Sequence, residues 1–263
     1  MDTPTASRSS RPALRVALVA VIATLAMAGC SSSDSTSSGS DTTVPASEEA
    51  ATNDVATSAD VSITLDFEPA ELDELLGTGS RVMVAREVTT GAGGEPTQLV
   101  WLSLRDLQET TSITYDPAAM QVFASNTELE PGATVDETAA TNVSEGETAT
   151  WNDGTFAVTS GQSGSVTVMD SSSVGTVVGL AGSASVDGSS ISAPYAAADL
   201  FGNEAVEFTD TGRILIWVSN EPFNGGTVLE PVPPSNATTV DVGSQPNARL
   251  TYNAPTQTFV LAT

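Results

Sequence analysis

Carboxylates are the most abundant ionisable side chains in this sequence. The chain has 33 Asp and Glu residues, a single cysteine and no histidine. That inventory favours oxygen ligation of Ca²⁺ or acid–base work by paired carboxylates. Glu204, Glu207 and Asp210 form one candidate set, at a loop-to-strand junction where carboxylates can either bind a cation or pair with Arg213. No segment has the spacing of a calcium-binding loop, so we expect no cofactor, with Ca²⁺ as the alternative.

Two aromatic residues are candidates for ligand binding. An exposed ring on a β surface offers a flat platform to a sugar or an apolar partner. Trp151 precedes Asn-Asp-Gly, a predicted hairpin turn, and we therefore expect it to be exposed. Tyr195, which follows a proline, is a second candidate of the same kind. Trp101 and Trp217 lie inside the most apolar predicted strands, so we expect both in the core.

The composition excludes several kinds of active site. With no histidine or lysine and one cysteine, the chain cannot form a Ser-His-Asp triad, a Cys-His pair, a Ser-Lys dyad or a His-ligated zinc site. No carboxylate pair stands out, so we assign no catalytic residue. We expect a binding, adhesion or envelope-structure module rather than an enzyme. The alternative is an extracellular carbohydrate-active hydrolase with two catalytic carboxylates.

The single cysteine, Cys30, ends an apolar run that has the layout of an export signal. Three arginines precede thirteen mostly apolar residues at 16–28, too few for a membrane-spanning helix, which needs about 20. The sequence Met-Ala-Gly-Cys at 27–30 resembles the lipobox of bacterial lipoprotein precursors, with Met27 where Leu, Val or Ile is usual. The resemblance implies a signal peptide at 1–29, a lipid on Cys30, and a protein anchored to the extracytoplasmic face of the cell membrane.

The next segment, residues 30–59, is rich in Ser, Thr, Asp and Glu and has no aromatic residue. Such a composition cannot bury enough apolar surface to offset the entropy of ordering. We therefore predict a disordered tether between the lipid and the rest of the chain.

Charge limits the partners of the remaining domain. The chain has a formal net charge of −25 at pH 7, and it has only eight basic residues. Such a polyanion is repelled by nucleic acid, so we expect an extracellular glycan or protein ligand and no nucleic acid. The arginines are expected to form exposed ion pairs, with Arg86 on the polar face of its strand.

The pattern of apolar and polar residues in 60–263 predicts an all-β domain. Apolar and polar residues alternate in Val61–Phe67, which is typical of a half-buried strand. Eleven such runs exceed the usual single sheet, so we predict an antiparallel β-sandwich with one or two short connecting helices, at Pro69–Leu76 and Pro194–Phe201. A subdivision near residues 160–170 is the alternative. Beyond the first run, the predicted strands are 81–88, 98–104, 121–124, 155–159, 165–169, 175–180, 213–219, 238–242, 248–252 and 256–261.

Overall fold

The computed structural model describes residues 60–91 and 96–262. The predicted signal peptide, Cys30 and the tether lie outside the described residues. The described elements are the helix α1 (Pro69–Thr78) and sixteen strands. In chain order the strands are β1 (Val61–Asp66), β2 (Arg81–Thr90), β3 (Thr97–Gln98), β4 (Leu102–Leu104), β5 (Thr110–Tyr115), β6 (Met120–Ser125), β7 (Glu137–Val143), β8 (Glu147–Asn152), β9 (Thr155–Ser160), β10 (Val166–Asp170), β11 (Thr176–Val186), β12 (Ser189–Leu200), β13 (Ala205–Ser219), β14 (Thr238–Asp241), β15 (Asn247–Asn253) and β16 (Thr258–Leu261).

The strands form two sheets, and the predicted all-β sandwich is confirmed. The first sheet has the order β16-β15-β1-β5-β11-β12-β3, with β6 paired to β11 and β7 to β6. The second has the order β4-β2-β13-β10-β8-β9, with β14 paired to β13. Both sheets are mixed rather than purely antiparallel, because β1 runs parallel to β15 and β8 runs parallel to β10.

The main core lies between the two sheets. Its buried side chains include Ile63 and Leu65 from β1 of the first sheet and Val82 and Val84 from β2 of the second. Two smaller apolar clusters lie apart from the main core. The first contains Leu99, Phe123 and Val177. The second contains Met83, Leu215 and Trp217, and it packs against side chains of the segment that follows β13. Trp101 and Trp217 are buried, as predicted.

Helix α1 connects β1 to β2 and confirms the first helix prediction. The helix begins at Pro69, a position where a backbone N–H would have no partner within the helix. It ends at Gly79, whose φ of 72° favours glycine. Leu72 and Leu75 are its buried side chains and attach it to the core. Within the described part of the chain, no helix is long and apolar enough to cross a membrane.

The second helix prediction, Pro194–Phe201, is wrong, because most of this segment belongs to strand β12. Its alanines favour a helix locally, but pairing with β11 along eleven residues outweighs that preference. The register shifts so that Leu180 faces Ala196 while Ala181 faces Pro194, which leaves Tyr195 as the extra residue of a β-bulge. A bulge also tolerates proline, which has no N–H for the ladder.

A second irregularity interrupts β13. Asp210 pairs with Val88 and Arg213 with Glu87, so two residues of β13 have no counterpart on β2. Gly212, inside this bulge, has a φ of 68°, and its N–H donates to Oδ1 of Asp210 at 2.9 Å.

The loop 161–165, near the predicted alternative subdivision, joins β9 to β10, and both strands belong to the second sheet. The described residues belong to one compact unit. The strands β5, β7, β8 and β12 were not predicted from the sequence, while β11 and β13 extend well beyond their predicted ranges.

Candidate functional site

Trp151 is 8% exposed, so the prediction that it forms an exposed platform is wrong. On β8 it shares a face with the buried Ala149, two residues earlier. The hairpin turn that we expected to expose it instead places Phe156 directly opposite, with ring centroids 4.9 Å apart. The indole therefore packs against its hairpin partner, and little of it is accessible to a ligand.

Tyr195 is fully buried, so the expectation of an accessible ring is also wrong. Its position in the bulge of β12 places the ring next to Arg86, with the guanidinium carbon 4.2 Å from the ring centroid. Its hydroxyl is buried and has no hydrogen-bond partner among the described residues.

The predicted cation set is not brought together by the fold. Glu204 accepts a backbone N–H within its own turn at 3.0 Å, Glu207 accepts the Ser165 hydroxyl at 2.6 Å, and Asp210 pairs with Arg86. Residues 60–91 and 96–262 contain no group of three or more acidic, His or Cys side chains arranged for a metal ion. Each of the three carboxylates thus has its own separate partner.

Arg86 lies at the centre of a buried charged cluster, which we call the Arg86 centre: Arg86, Trp101, Tyr115, Tyr195 and Asp210. The Arg86 side chain is only 2% exposed, and that of Asp210 is 23% exposed. Nε of Arg86 donates to Oδ2 of Asp210 at 3.0 Å, and Nη2 donates to the same oxygen. The guanidinium carbon lies 5.3 Å from the Trp101 ring and 5.1 Å from the Tyr115 ring, so three aromatic rings surround the cation.

The expected position of Arg86 on the polar face of its strand is wrong. Residues two apart on a strand point to the same face, and Arg86 therefore shares the inter-sheet face of β2 with Val82 and Val84. The long side chain reaches the rings contributed by the first sheet and by the segment between β3 and β4. Gly182 provides room: a Cβ there would lie 3.1 Å from Nη1 of Arg86.

Burial and charge fix the protonation states of the Arg86 centre. Burial raises the pKa of Tyr115 to about 12, and it raises the pKa of Tyr195 well above its ordinary value. Burial alone would lower the pKa of Arg86, but Tyr195 and Asp210 reverse this and raise it. At neutral pH the guanidinium is charged and both phenols are neutral. The guanidinium and the three rings are buried, while Asp210 is partly exposed, and the cluster links the two sheets.

An accessible groove lies elsewhere, between helix α1, the end of β13 and the turn between β15 and β16. We call it the α1 groove. Its volume is about 400 Å³, within the range of small-molecule sites. The residues that line it are Glu71, Glu74, Leu75, Thr78, Ser80, Val218, Asn220, Tyr252, Ala254, Pro255 and Gln257.

Glu71 is the central polar side chain of the α1 groove. Its Oε1 accepts the backbone N–H of Ala254 at 3.2 Å, which ties α1 to the β15–β16 turn. Its Oε2 is buried and accepts no hydrogen bond from the described residues. Glu74 lies three residues along the helix and therefore on the same side. The groove thus has a paired set of carboxylates, one with an unused buried oxygen.

These carboxylates act electrostatically on Tyr252, the aromatic residue of the α1 groove. Its pKa is raised above the ordinary value by burial and further by the charges of Glu71 and Glu74. Its ring packs against Phe67 at 5.8 Å and Phe259 at 5.4 Å between centroids. These contacts fix the wall of the groove against the core.

The α1 groove and residue 60 lie at opposite ends of β1. The strand begins at Val61 and α1 follows its far end, while the parallel β15 brings Tyr252 to that same end. Six residues at about 3.3 Å each separate the two ends by roughly 20 Å. A ligand in the groove therefore lies on the side of the sandwich away from residue 60.

A larger groove of about 710 Å³ lies between β2, β3 and the segment Leu229–Pro233. It borders residues 92–95, which are outside the described residues, so the structure describes only part of its wall. The α1 groove has a fully described lining.

The comparisons with known proteins give no relative. No protein-family model, no curated protein and no solved structure matches this chain.

The α1 groove was not predicted from the sequence, although one signal for it is present. Glu71 and Glu74 are three apart on the predicted helix, next to the apolar pair Leu72 and Leu75. That pattern places carboxylates at the border of a buried helix face. The opposite wall comes from residues about 150–180 positions later, and local sequence gives no indication of it.

Proposed function

We propose that this chain is a lipid-anchored lipoprotein of the extracytoplasmic membrane face, and that its acidic β-sandwich binds a ligand in the α1 groove without catalysis. The observation that carries the proposal is the position of the groove, at the end of β1 opposite to residue 60. The predicted tether joins the domain at residue 60, so the groove lies at the end of β1 remote from that junction. The strongly negative charge supports a partner other than nucleic acid.

Replacement of the lipidated residue tests the anchoring. The variant Cys30→Ser should move the protein from the detergent-extracted membrane fraction to the soluble fraction, because the acyl chains supply the membrane affinity. Mass spectrometry of the wild-type protein should show a diacylglyceryl group on Cys30. A variant that still fractionates with membranes would contradict lipid anchoring.

A screen of glycans and cell-wall fragments tests the binding site. The matched variants are Glu74→Arg, which changes a residue of the groove lining, and Asp73→Arg, which makes the same charge change on the exposed side of the same helix. Ligand binding should be lost in the first variant and kept in the second. Equal binding by both variants would place the binding site outside the α1 groove.

One observation favours a second candidate function, a carbohydrate-active hydrolase. Glu71 and Glu74 lie three residues apart on α1, which places two carboxylates on one side of the same groove. Carboxyl groups at about 5–9.5 Å serve glycoside hydrolysis when a sugar lies between them. Release of product from a glycan, abolished in Glu71→Gln while binding persists, would establish the enzyme and replace the binding proposal.

A further inference from the structure

We propose that the free edge of strand β9 is a self-association surface, along which two copies of this chain pair β9 with β9 in antiparallel orientation. The pairing goes beyond the proposed function and does not depend on it, because β9 contributes no residue to the described lining of the α1 groove. Three properties of β9 support it: an unpaired edge, high exposure and the absence of charge.

The backbone of β9 has a row of hydrogen-bonding groups that no strand uses. β9 is the last strand of the second sheet, and among the described strands it pairs with β8 alone. One step beyond this ladder, the N–H of Gly161 donates to the carbonyl oxygen of Gly146 at 2.6 Å. Hydrogen-bonded pairs alternate along an antiparallel ladder. Phe156, Val158 and Ser160 therefore direct their N–H and C=O groups away from β8.

The other strands at the ends of the sheets are protected in ways that β9 is not. β3 and β4 have two and three residues, and β14 and β16 have four each. β7 is longer, but its pairing with β6 contains a register shift and it begins with the charged Glu137. Short, irregular or charged edges resist pairing with another chain. β9 has six residues with no proline, no charge and no register shift.

The side chains of β9 are also accessible. Five of its six residues are exposed, and Phe156 is half-buried. β7 lies beside β9 on this side of the sandwich and leaves it exposed. Val158 faces the buried Ala149 of β8, yet its own side chain is 36% exposed. A further strand along this edge would cover apolar surface of Val158 and provide partners for the outward backbone groups.

Charge favours a second copy of this chain as the partner. Residues 154–169 contain no acidic or basic side chain, although the whole chain has a net charge of −25. Two copies can therefore meet along β9 without placing carboxylates against each other, whereas their other acidic surfaces repel. A peptide from another protein would need pockets for its side chains beside the edge. Among the described residues, β9 lines neither of the two grooves.

The outward groups also define the register between the two copies. In an antiparallel pair centred on Val158, this residue faces Val158 of the second copy, and Phe156 faces Ser160. The three outward residues then occupy hydrogen-bonded positions, and each of their N–H and C=O groups gains a partner. Ala157 faces Thr159 of the second copy at a non-hydrogen-bonded position, where side chains lie closest.

Sedimentation equilibrium tests the association. The chain from residue 31 onward retains the compact unit of the described residues. We expect a weak monomer–dimer equilibrium, because small interfaces are typical of transient complexes. Raising NaCl from about 0.05 M to about 0.5 M should tighten the dimer by about threefold or more, since salt screens the repulsion between two polyanions. A chain that stays monomeric at about 1 mM in high salt, or a dimer that salt weakens, would overturn the proposal.

Two substitutions at one position show whether the edge of β9 is the interface. Val158→Pro removes an outward N–H and keeps the hydrogen bonds to β8, so it should weaken the dimer by about tenfold or more. Val158→Thr keeps this N–H and should associate like wild type. If circular dichroism shows that Val158→Pro does not fold, Val158→Glu replaces it, because it places two carboxylates directly opposite each other. A dimer that the folded variant leaves unchanged would contradict pairing through β9.

Disulfide cross-linking tests the register. The chain from residue 31 onward has no cysteine. An oxidised mixture of Ala157→Cys and Thr159→Cys should form the mixed disulfide dimer at least about tenfold faster than either variant forms its own dimer, because only the mixed pair is directly opposed. Equal cross-linking of each variant alone would contradict the antiparallel pair centred on Val158.

Discussion

The Arg86 centre and the α1 groove combine the same kinds of side chain in opposite ways. Each contains carboxylate and tyrosine next to apolar core. In the Arg86 centre a buried cation is paired with Asp210 and surrounded by three rings. In the α1 groove two carboxylates have no basic partner within the described lining, and one oxygen of Glu71 is buried without a donor.

The Arg86 centre is therefore expected to stabilise the fold, whereas the α1 groove is expected to bind a ligand. Removing one partner of a buried ion pair destabilises the fold, because the remaining charge is left unpaired away from water. Glu74 has the opposite property, since it lines the groove and is exposed, and its replacement leaves no buried charge unpaired. Substitutions in the first cluster should therefore change stability, and substitutions in the second should change binding.

The largest effect is expected from Asp210→Asn. The substitution keeps the shape and the acceptor for the Gly212 N–H but leaves the Arg86 charge buried and unpaired. We expect a loss of about 3–5 kcal/mol in the free energy of unfolding, measured by urea denaturation. Arg86→Met should be less destabilising, because the remaining Asp210 carboxylate is partly exposed. A double variant whose loss equals the sum of the single losses would show that the two side chains are not coupled.

Alkaline pH should weaken the Arg86 centre next. Burial raises the pKa of Tyr115 to about 12 and also raises that of Tyr195. The phenols of the unfolded chain ionise near pH 10. The contribution of the two buried phenols to the free energy of unfolding is therefore fully present below that pH. It is lost as pH rises from about 10 to about 12, because only the unfolded state then releases these protons.

The absorbance of tyrosinate measures the ionisation of the tyrosines directly. The chain has three tyrosines, and the pKa of each is raised by burial in the fold. The native protein should therefore show little tyrosinate at pH 10, and unfolding in urea at that pH should release it. Ordinary ionisation of Tyr115 in the folded state would be inconsistent with the buried centre.

A smaller and local effect is expected in the α1 groove from Glu71→Gln. Part of the rise in the pKa of Tyr252 comes from the charges of Glu71 and Glu74. Removing one charge should lower the pKa of Tyr252 toward its ordinary value and leave Tyr115 and Tyr195 unchanged. Site-resolved NMR of the tyrosine rings against pH provides the measurement. A shift of all three tyrosines would indicate a general loss of folding instead of a local field.

The smallest effect is expected from the exposed ion pair between Arg249 and Asp66. Nε of Arg249 donates to Oδ2 of Asp66 at 2.5 Å, and this bond lowers the pKa of Asp66. Because exposed pairs contribute little, Arg249→Gln should leave the urea midpoint at neutral pH nearly unchanged. The contribution is present above the unfolded pKa of Asp66 and is lost as pH falls through the folded pKa. A large change in the urea midpoint of Arg249→Gln at neutral pH would contradict the expected difference between this exposed pair and the buried Arg86–Asp210 pair.

The local pattern of the sequence predicts strands well where apolar and polar residues alternate. In β1 the odd positions 61–65 are buried, as the alternation requires. The pattern fails in β12, where alanines favour a helix but pairing with β11 decides the conformation. It also fails at Trp151, because local turn chemistry predicts the hairpin and does not show which face of the hairpin meets the core.

The candidate sites were less predictable than the fold. The sequence suggests Asp210 as a metal ligand, whereas the bulge of β13 directs it to Arg86. The sequence also suggests that Tyr195 is an exposed ring, whereas the bulge of β12 places it in the core. Bulges depend on the register between strands far apart in the chain, which periodicity within one strand does not contain.

The fold class, the strong negative charge, the exclusion of His- and Lys-based chemistry and the lipobox resemblance at Cys30 can all be read from the amino-acid sequence. These follow from composition and local pattern. The packing of distant strands is needed to see that three aromatic rings surround the buried Arg86 and that Glu71 lines a groove. The reason is physical: the environment of a charge is set by side chains brought from distant strands, and those contacts exist only once the two sheets have paired and packed.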